Sequence, residues 1–356
     1  MKVLGIETSC DETAAAVVEI DKSLNCSLLS NVVATSMDLH AKYGGVVPEI
    51  AARSHIESII PVIDEATQPV GWDNIDAIAV TKGAGLGGSL LIGVMTARTL
   101  AITKGKPLYG VNHVEGHIYA NFLTTHSTPY DYQLASKAPA FPILGLIVSG
   151  GHSQLVLFRD HFDYTLLGRT QDDAVGEAFD KVAKIIGLPY PGGPSVGKKA
   201  LDGNAQAFDL PKAKMANKYD FSFSGLKTAV LRQAQAIIGQ DYTFPSKDLP
   251  DRLSEAQKAD IAAVFQRVAI ETVVDKTILA YEEFRPTSVV IGGGVAASSE
   301  LRRQLAERLP IEITYQDSRL MTDNGAMIAT LGAFKARLGQ PTDNAYTLEP
   351  QPNLSM

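Results

Sequence analysis

The hexapeptide Leu4-Gly5-Ile6-Glu7-Thr8-Ser9 returns as Leu144-Gly145-Leu146-Ile147-Val148-Ser149, with Leu, Gly and Ser in the same places. Each copy is a short apolar run closing in a hydroxyl-bearing turn. Each is followed by a second apolar run, Ala14 to Ile20 and Gln154 to Phe158. Apolar runs separated by such turns read as paired strands. A second pair of segments keeps the same order: Ile78-Ala79-Val80 runs into Gly83-Ala84-Gly85-Leu86-Gly87-Gly88 and a helical pattern through Thr103, and Ser288 to Ile291 runs into Gly292-Gly293-Gly294 and a helix around Leu301 to Leu309. Two correlated units in one order predict a duplicated α/β domain with a ligand cleft between the copies. The expected division is residues 1–110 as a first lobe, with 325–338 packing back on it, 111–324 as a second lobe, and 339–356 as an irregular tail. Ala256 to Phe284 has helical period and predicts one long or two successive core helices ended by Pro286, and Ser127 to Ala138 reads as a loop between halves.

A chain of 356 residues suits two domains of common size. Hydrophobic content of 45% and charged content of 20% exclude extended disorder. The two cysteines, Cys10 and Cys26, cannot build a disulfide framework and fit a reducing compartment. Glu7 and Asp11 interrupt the N-terminus before a signal-peptide core forms, and no apolar run approaches the ~18 residues needed to span a bilayer. The expected location is the cytoplasm. A net charge of -7 argues against non-specific coating of nucleic acid. The exception is local: Lys181, Lys184, Lys198, Lys199, Lys212, Lys214, Lys218 and Lys227 crowd one stretch, which reads either as a polyanion-docking patch or as a solvated surface.

His113 and His117 are the sharpest chemical feature. Four residues apart on a helix that Asn112 can cap, the two imidazoles stand on one face a turn apart, as two ligands of one metal would. Two packing histidines would share that spacing. Glu115 points near the opposite face, so the zinc-protease pattern, whose glutamate follows the first histidine directly, lacks its base. Asp323, ahead of a second helix, is the candidate third ligand; its alternative is a plain helix cap. Two imidazoles and a carboxylate leave open positions and accept Fe(2+) or Zn(2+).

Val148-Ser149-Gly150-Gly151-His152 follows a strand directly, and its paired glycines let backbone amides approach phosphate oxygens. The equivalent turn of the first copy holds Asp11 and Glu12, candidates for proton handling. Asp173, Glu177 and Asp180 recur along one side of a helix predicted over Asp173 to Ile186. A carboxylate there suits ribose hydroxyls. Tyr190-Pro191-Gly192-Gly193-Pro194 forms a rigid turn able to pass under a base.

Gly5 to Thr13, His113 to His117, Val148 to His152, Gly176-Glu177-Ala178-Phe179-Asp180-Lys181, Phe223-Ser224-Gly225-Leu226-Lys227-Thr228 and Asp323-Asn324-Gly325-Ala326 together resemble the motifs of the tRNA N6-adenosine threonylcarbamoyltransferase (TsaD) family, bacterial type. The match runs from Met1 to about Leu338. The resemblance implies a duplicated actin-like, ribonuclease H-like two-lobe fold (the ASKHA group of actin, hexokinase and Hsp70) with nucleotide and metal in the interlobe cleft. It implies His113, His117 and Asp323 as ligands of one divalent metal ion, usually iron. It also implies Val148, Ser149, Gly150, Gly151, His152, Asp180, Gly193 and Ser298 as contacts of threonylcarbamoyl-AMP or its nucleotide portion. The chain departs from the family at Ser298, usually Asn, and at Gly197, where many members carry Asp. The implied activity transfers threonylcarbamoyl from the adenylate to adenosine 37 of tRNAs reading ANN codons. The implied partners are tRNA, a TsaB-like paralogue and a TsaE-like ATPase, with the adenylate supplied by a separate synthase. A sugar or acetate kinase of the same superfamily would explain the duplication but leave the histidines idle, and so would a non-catalytic nucleotide-binding scaffold.

Overall fold

Both repeated hexapeptides are central strands. In the computed structural model, which describes residues 1–124 and 131–356, the chain forms two compact units, 1–139 with 314–356, and 140–313. The first unit carries a five-stranded sheet of β1 (Lys2–Glu7), β2 (Glu12–Ile20), β3 (Cys26–Thr35), β4 (Ala77–Gly83) and β5 (Leu108–Asn112), in the order β3-β2-β1-β4-β5. β1 pairs antiparallel with β2 and parallel with β4. The second unit repeats the plan with β6 (Ile143–Val148), β7 (Ser153–Asp160), β8 (Asp163–Arg169), β9 (Ser288–Gly292) and β10 (Ile313–Thr314), in the order β10-β9-β6-β7-β8. Again the first strand pairs antiparallel with the second and parallel with the fourth. The duplication expected from two hexapeptides thus extends to the whole topology.

Alternation decides the two faces of the first sheet. Leu4, Ile6, Val17, Ile78 and Val80 share a core with Ile59, Val62 and Ile63 of helix Pro48–Thr67 and with Val94, Ala97 and Ala101 of helix Gly87–Lys104. Gly5, on the other face, meets helix Gly325–Arg337 so closely that a Cβ there would lie 2.2 Å from the backbone nitrogen of Ala329. No side chain fits, and the glycine is a packing requirement.

Two expected boundaries move. Helix His113–Tyr119 grows directly out of β5 and packs on helix Gly325–Arg337, so the segment from 111 to 139 belongs to the first unit rather than the second. Residues 314–324 also return to the first unit. The tail beyond Leu338 has no helix or strand but is packed: Asp343 N donates to Leu108 O at 2.8 Å, Arg98 binds the carbonyls of Ala345, Tyr346 and Leu348, and Leu348 joins the core. The loop expected over 127–138 lies partly outside the described residues.

In the second unit Glu255–Phe284 is one helix of 30 residues, opened by a capping box in which Ser254 and Gln257 satisfy each other's backbone amides. The helix expected from Asp173 starts at Val175 instead, because Asp173 is occupied outside it as an acceptor for Lys181 Nζ at 2.6 Å. Among the described residues no helix is long and apolar enough to cross a membrane.

Candidate metal centre

Two helix starts in the first unit bring three side chains of metal-ligating type together. Asn112 ends β5 and caps the next helix, its Oδ1 accepting from the amides of Val114 at 2.8 Å and Glu115 at 3.4 Å. That cap fixes the first turn, so His113 and His117 stand one turn apart with ring centroids 4.8 Å apart. Between them Gly116 faces the second helix, where a Cβ would come within 3.1 Å of Ile328 Cδ1. The close crossing of the two helices delivers Asp323, one residue before the Asn324 cap of helix Gly325–Arg337. Asp323 Oδ1 lies 3.4 Å from Nε2 of His113 and 3.4 Å from Nε2 of His117. Donors bonded at about 2.1 Å in a tetrahedral site stand about 3.4 Å from one another, so these separations are those of shared ligands.

The surroundings fit an ion as well. His117 is 1% exposed, and neither ring nitrogen has a hydrogen-bond partner among the described residues. A buried polar atom left without a partner costs about 1–3 kcal/mol, which a bound cation would remove. His113 is held from behind. Its Nδ1 lies 3.1 Å from Glu7 Oε2 and 3.0 Å from Ser9 Oγ. An ionised carboxylate only accepts, so Nδ1 carries the hydrogen and Nε2 faces the site. Burial pulls the imidazolium down, but the charges of Asp323 and Glu7 outweigh it and raise His113 to about 9. Metal binding here must therefore release a proton.

Glu7 is the residue that sequence reasoning missed. It is fully buried at the end of β1, accepting from Thr81 Oγ1 at 2.6 Å and from the amide of Ser9. Burial opposes its charge, yet the neighbouring His113 holds its carboxyl below the usual range. Nothing in the strand's own sequence singles it out, since its role shows only in the donors around it. Carboxylates that orient a ligating imidazole typically carry 10–100-fold in metal affinity. Glu7→Gln is expected to weaken Co(2+) binding by about that factor while keeping one ion per chain, as read by titration of the metal-free protein.

The remaining candidates sort by unit. Glu12 is half-buried, and its carboxyl is pushed up to about 10 by burial first, then by the charges of Asp323 and Asp11. Burial and the neighbouring carboxylates thus favour its protonated form, which suits a donor within the proton-handling pair. Glu115 is buried away from the triad, raised to about 7 by burial, with Lys335 as the opposing charge. In the second unit Gly176 N donates to Ser149 O at 3.2 Å, and a Cβ on Gly293 would meet Val148 O at 2.4 Å. Asp180 Oδ1 accepts from Gly192 N at 2.6 Å. These contacts draw the Val148–His152 turn toward Gly176 and Gly293, and join Asp180 to the Gly192-Gly193 turn. Gly150, Gly151 and Gly193 have open space where a side chain would sit. Ser298 is committed elsewhere, capping helix Ser299–Arg308 through Leu301 N. Gly197 lies within helix Gly192–Ala200. Asp172, also missed, ties down the Phe223–Thr228 motif by accepting from Ser222, Phe223 and Ser224.

The model of the family "TsaD: tRNA N6-adenosine threonylcarbamoyltransferase" matches residues 27–330. The chain belongs to the TsaD family. Its relatives include the tRNA N6-adenosine threonylcarbamoyltransferase of Thermomicrobium roseum, 49% identical over 96% of this chain and 94% of the relative. That of Symbiobacterium thermophilum is 48% identical over 95% and 92%. Membership in TsaD makes the chain a transferase that forms threonylcarbamoyladenosine on tRNA. Among solved structures, full-length HypF in its phosphate- and nucleotide-bound form superposes with a TM-score of 0.56 at 13% identity, covering 95% of this chain and 55% of that one. That likeness concerns the fold, the duplicated actin-like α/β arrangement expected of a TsaD chain.

The lysine-rich stretch is largely paired in this TsaD chain. Five of the eight crowded lysines face carboxylates: Lys181 with Asp173 and Glu177, Lys199 with Glu255, Lys212 with Glu271 and Asp275, Lys218 with Glu283, and Lys227 with Asp173. Part of the positive surplus seen in the sequence is thus offset, by the local Asp173 and Glu177 and by acids of helix Glu255–Phe284.

Proposed function

We propose that this chain transfers the threonylcarbamoyl group from threonylcarbamoyl-AMP to the exocyclic amine of adenosine 37 in tRNAs reading ANN codons. The observation that carries the reading is a buried imidazole with no hydrogen-bond partner among the described residues, 3.4 Å from the Asp323 carboxylate and beside a second imidazole, in a TsaD chain. His113, His117 and Asp323 would hold one divalent ion, with Fe(2+) favoured by the two-histidine, one-carboxylate set and Zn(2+) also compatible. When bound, such an ion supplies Lewis acidity toward the carbamoyl oxygen.

The rest of the chemistry falls to the chain's own groups. The adenosine nitrogen forms a bond to the carbamoyl carbon, the bond from that carbon to the phosphate oxygen breaks, AMP leaves, and the amine loses one proton. Its lone pair is delocalised into the ring, so orientation and charge stabilisation carry most of the acceleration. The open backbone of Ser149, Gly150 and Gly151 suits the phosphate, while Asp180 beside Gly192 and Gly193 suits the ribose. Asp11 is the candidate acceptor for the amine proton, and Glu12, which keeps its own, donates a hydrogen bond. The largely paired lysine stretch supports a role for partners in holding tRNA: a TsaB-like paralogue and a TsaE-like ATPase, in the cytoplasm.

The test mixes the protein with those partners, the adenylate synthase, threonine, bicarbonate, ATP and tRNA. The tRNA is then digested and its nucleosides weighed by mass spectrometry. Threonylcarbamoyladenosine dependent on this chain is the expected result. Its absence, with each partner shown to be active, rejects the reading.

A further inference from the structure

Among the described residues, two histidines outside the candidate metal centre are completely buried, and no step above uses them. His55, on helix Pro48–Thr67, places Nε2 3.0 Å from Cys10 O and Nδ1 2.7 Å from Thr13 Oγ1. A carbonyl only accepts, so Nε2 carries the hydrogen and Nδ1 accepts from the threonine hydroxyl. His40 takes the same tautomer for a different reason. Val47 N donates to its Nδ1 at 3.2 Å, which leaves the hydrogen on Nε2, 3.1 Å from Ser36 Oγ. Ser36 in turn donates to Asp11 O through Oγ at 2.8 Å and through N at 3.1 Å. Ser89 Oγ adds a second donor to Cys10 O at 3.2 Å.

The carbonyls of Cys10 and Asp11, two successive residues of the β1–β2 turn, are thus gripped from opposite elements of the first unit. That turn carries Asp11 and Glu12 and, through Ser9 Oγ, touches His113. In the matching turn of the second unit the grip is backbone only, Gly176 N donating to Ser149 O at 3.2 Å, and Gly150 and Gly151 have open space where a side chain would sit.

We infer that His55 and the His40–Ser36 pair are positioning residues, which set the Asp11 and Glu12 carboxyl groups toward the reacting amine by holding the carbonyls of Cys10 and Asp11. The inference rests on the reading of Asp11 and Glu12 as the proton-handling pair. A displacement of about 1 Å at a reacting group can cost on the order of 10²-fold in rate, so a loosened turn would act on kcat.

Four variants test this in the reconstituted tRNA assay: His55→Gln, His55→Asn, His55→Ala and Ser36→Ala. A glutamine amide reaches the Nε2 position and still donates to Cys10 O, whereas an asparagine amide reaches only Nδ1. Expected is a fall in kcat of on the order of 10²-fold for His55→Ala and His55→Asn, near-recovery in His55→Gln, and a smaller fall for Ser36→Ala, with KM for tRNA and Co(2+) stoichiometry unchanged. Ser36→Ala retains the Ser36 N bond and removes one oxygen atom, so it keeps the test open even if His55→Ala does not fold. Asparagine matching or exceeding glutamine, or a change confined to KM, overturns the inference. Asp11→Asn and Glu12→Gln run alongside. Full activity in both removes the proton-handling reading itself, while loss in them with full activity in the histidine and serine variants removes the clamp alone.

Discussion

His113→Ala is expected to end threonylcarbamoyladenosine formation while leaving a folded chain. The side chain gives the centre one of its two imidazole nitrogens, and Nε2 stands 3.4 Å from the carboxylate that would share the ion. Lewis-acid stabilisation is worth several kcal/mol at the transition state, and each 1.36 kcal/mol is tenfold, so the loss should be on the order of 10³-fold or more. Folding should survive because Glu7, the buried charge behind the ring, retains Thr81 Oγ1 and the Ser9 amide as donors. Removal of the metal from the wild-type protein by a chelator should reproduce the loss, with activity returning when Fe(2+) or Zn(2+) is added back. Co(2+) titration and circular dichroism supply the controls. A folded His113→Ala protein that binds no metal and turns over normally would take the metal out of the reaction.

Gly5→Ala should strongly destabilise the first unit. The new carbon would lie 2.2 Å from Ala329 N and 2.6 Å from Gly325 O, both backbone atoms, so no side-chain rotation relieves the clash. Helix Gly325–Arg337 must move off the sheet, and overpacking of this kind costs about 1–3 kcal/mol or more. Because the same helix carries Asp323 at its entrance, the damage should reach the metal. We expect a lower Tm together with weaker Co(2+) binding. Gly225→Ala is the control: a Cβ there meets nothing within 4 Å, and both quantities should stay put. A Gly5→Ala protein with wild-type Tm would show that the helix seat is softer than its geometry implies.

Much of this was readable in advance because it depends on local pattern. Apolar runs ending in hydroxyl and glycine turns give central strands whatever surrounds them, which is why both hairpins and both glycine loops lie where the sequence places them. The histidine pair was legible from helical spacing and the Asn112 cap. What failed depended on distant partners. The unit boundaries could not be read because helix His113–Tyr119 chooses its unit by packing on helix Gly325–Arg337, a segment remote in sequence. The lysine stretch looked free because its counter-charges, Glu255, Glu271, Asp275 and Glu283, sit on another helix or at its start. Glu7 was hidden too, since a buried carboxylate is recognised only through the donors around it.

The first unit is discontinuous: it is left at residue 139 and rejoined at 314. A nascent chain emerging from the ribosome therefore presents both imidazoles long before their carboxylate partner has been translated. Until residues 314–337 arrive, the face of the first sheet around Gly5 lacks helix Gly325–Arg337, and the candidate site has two of its three side chains. Assembly of the site thus waits on a segment made after the whole second unit, and a truncated product lacking that segment would not complete it however well its second unit folds.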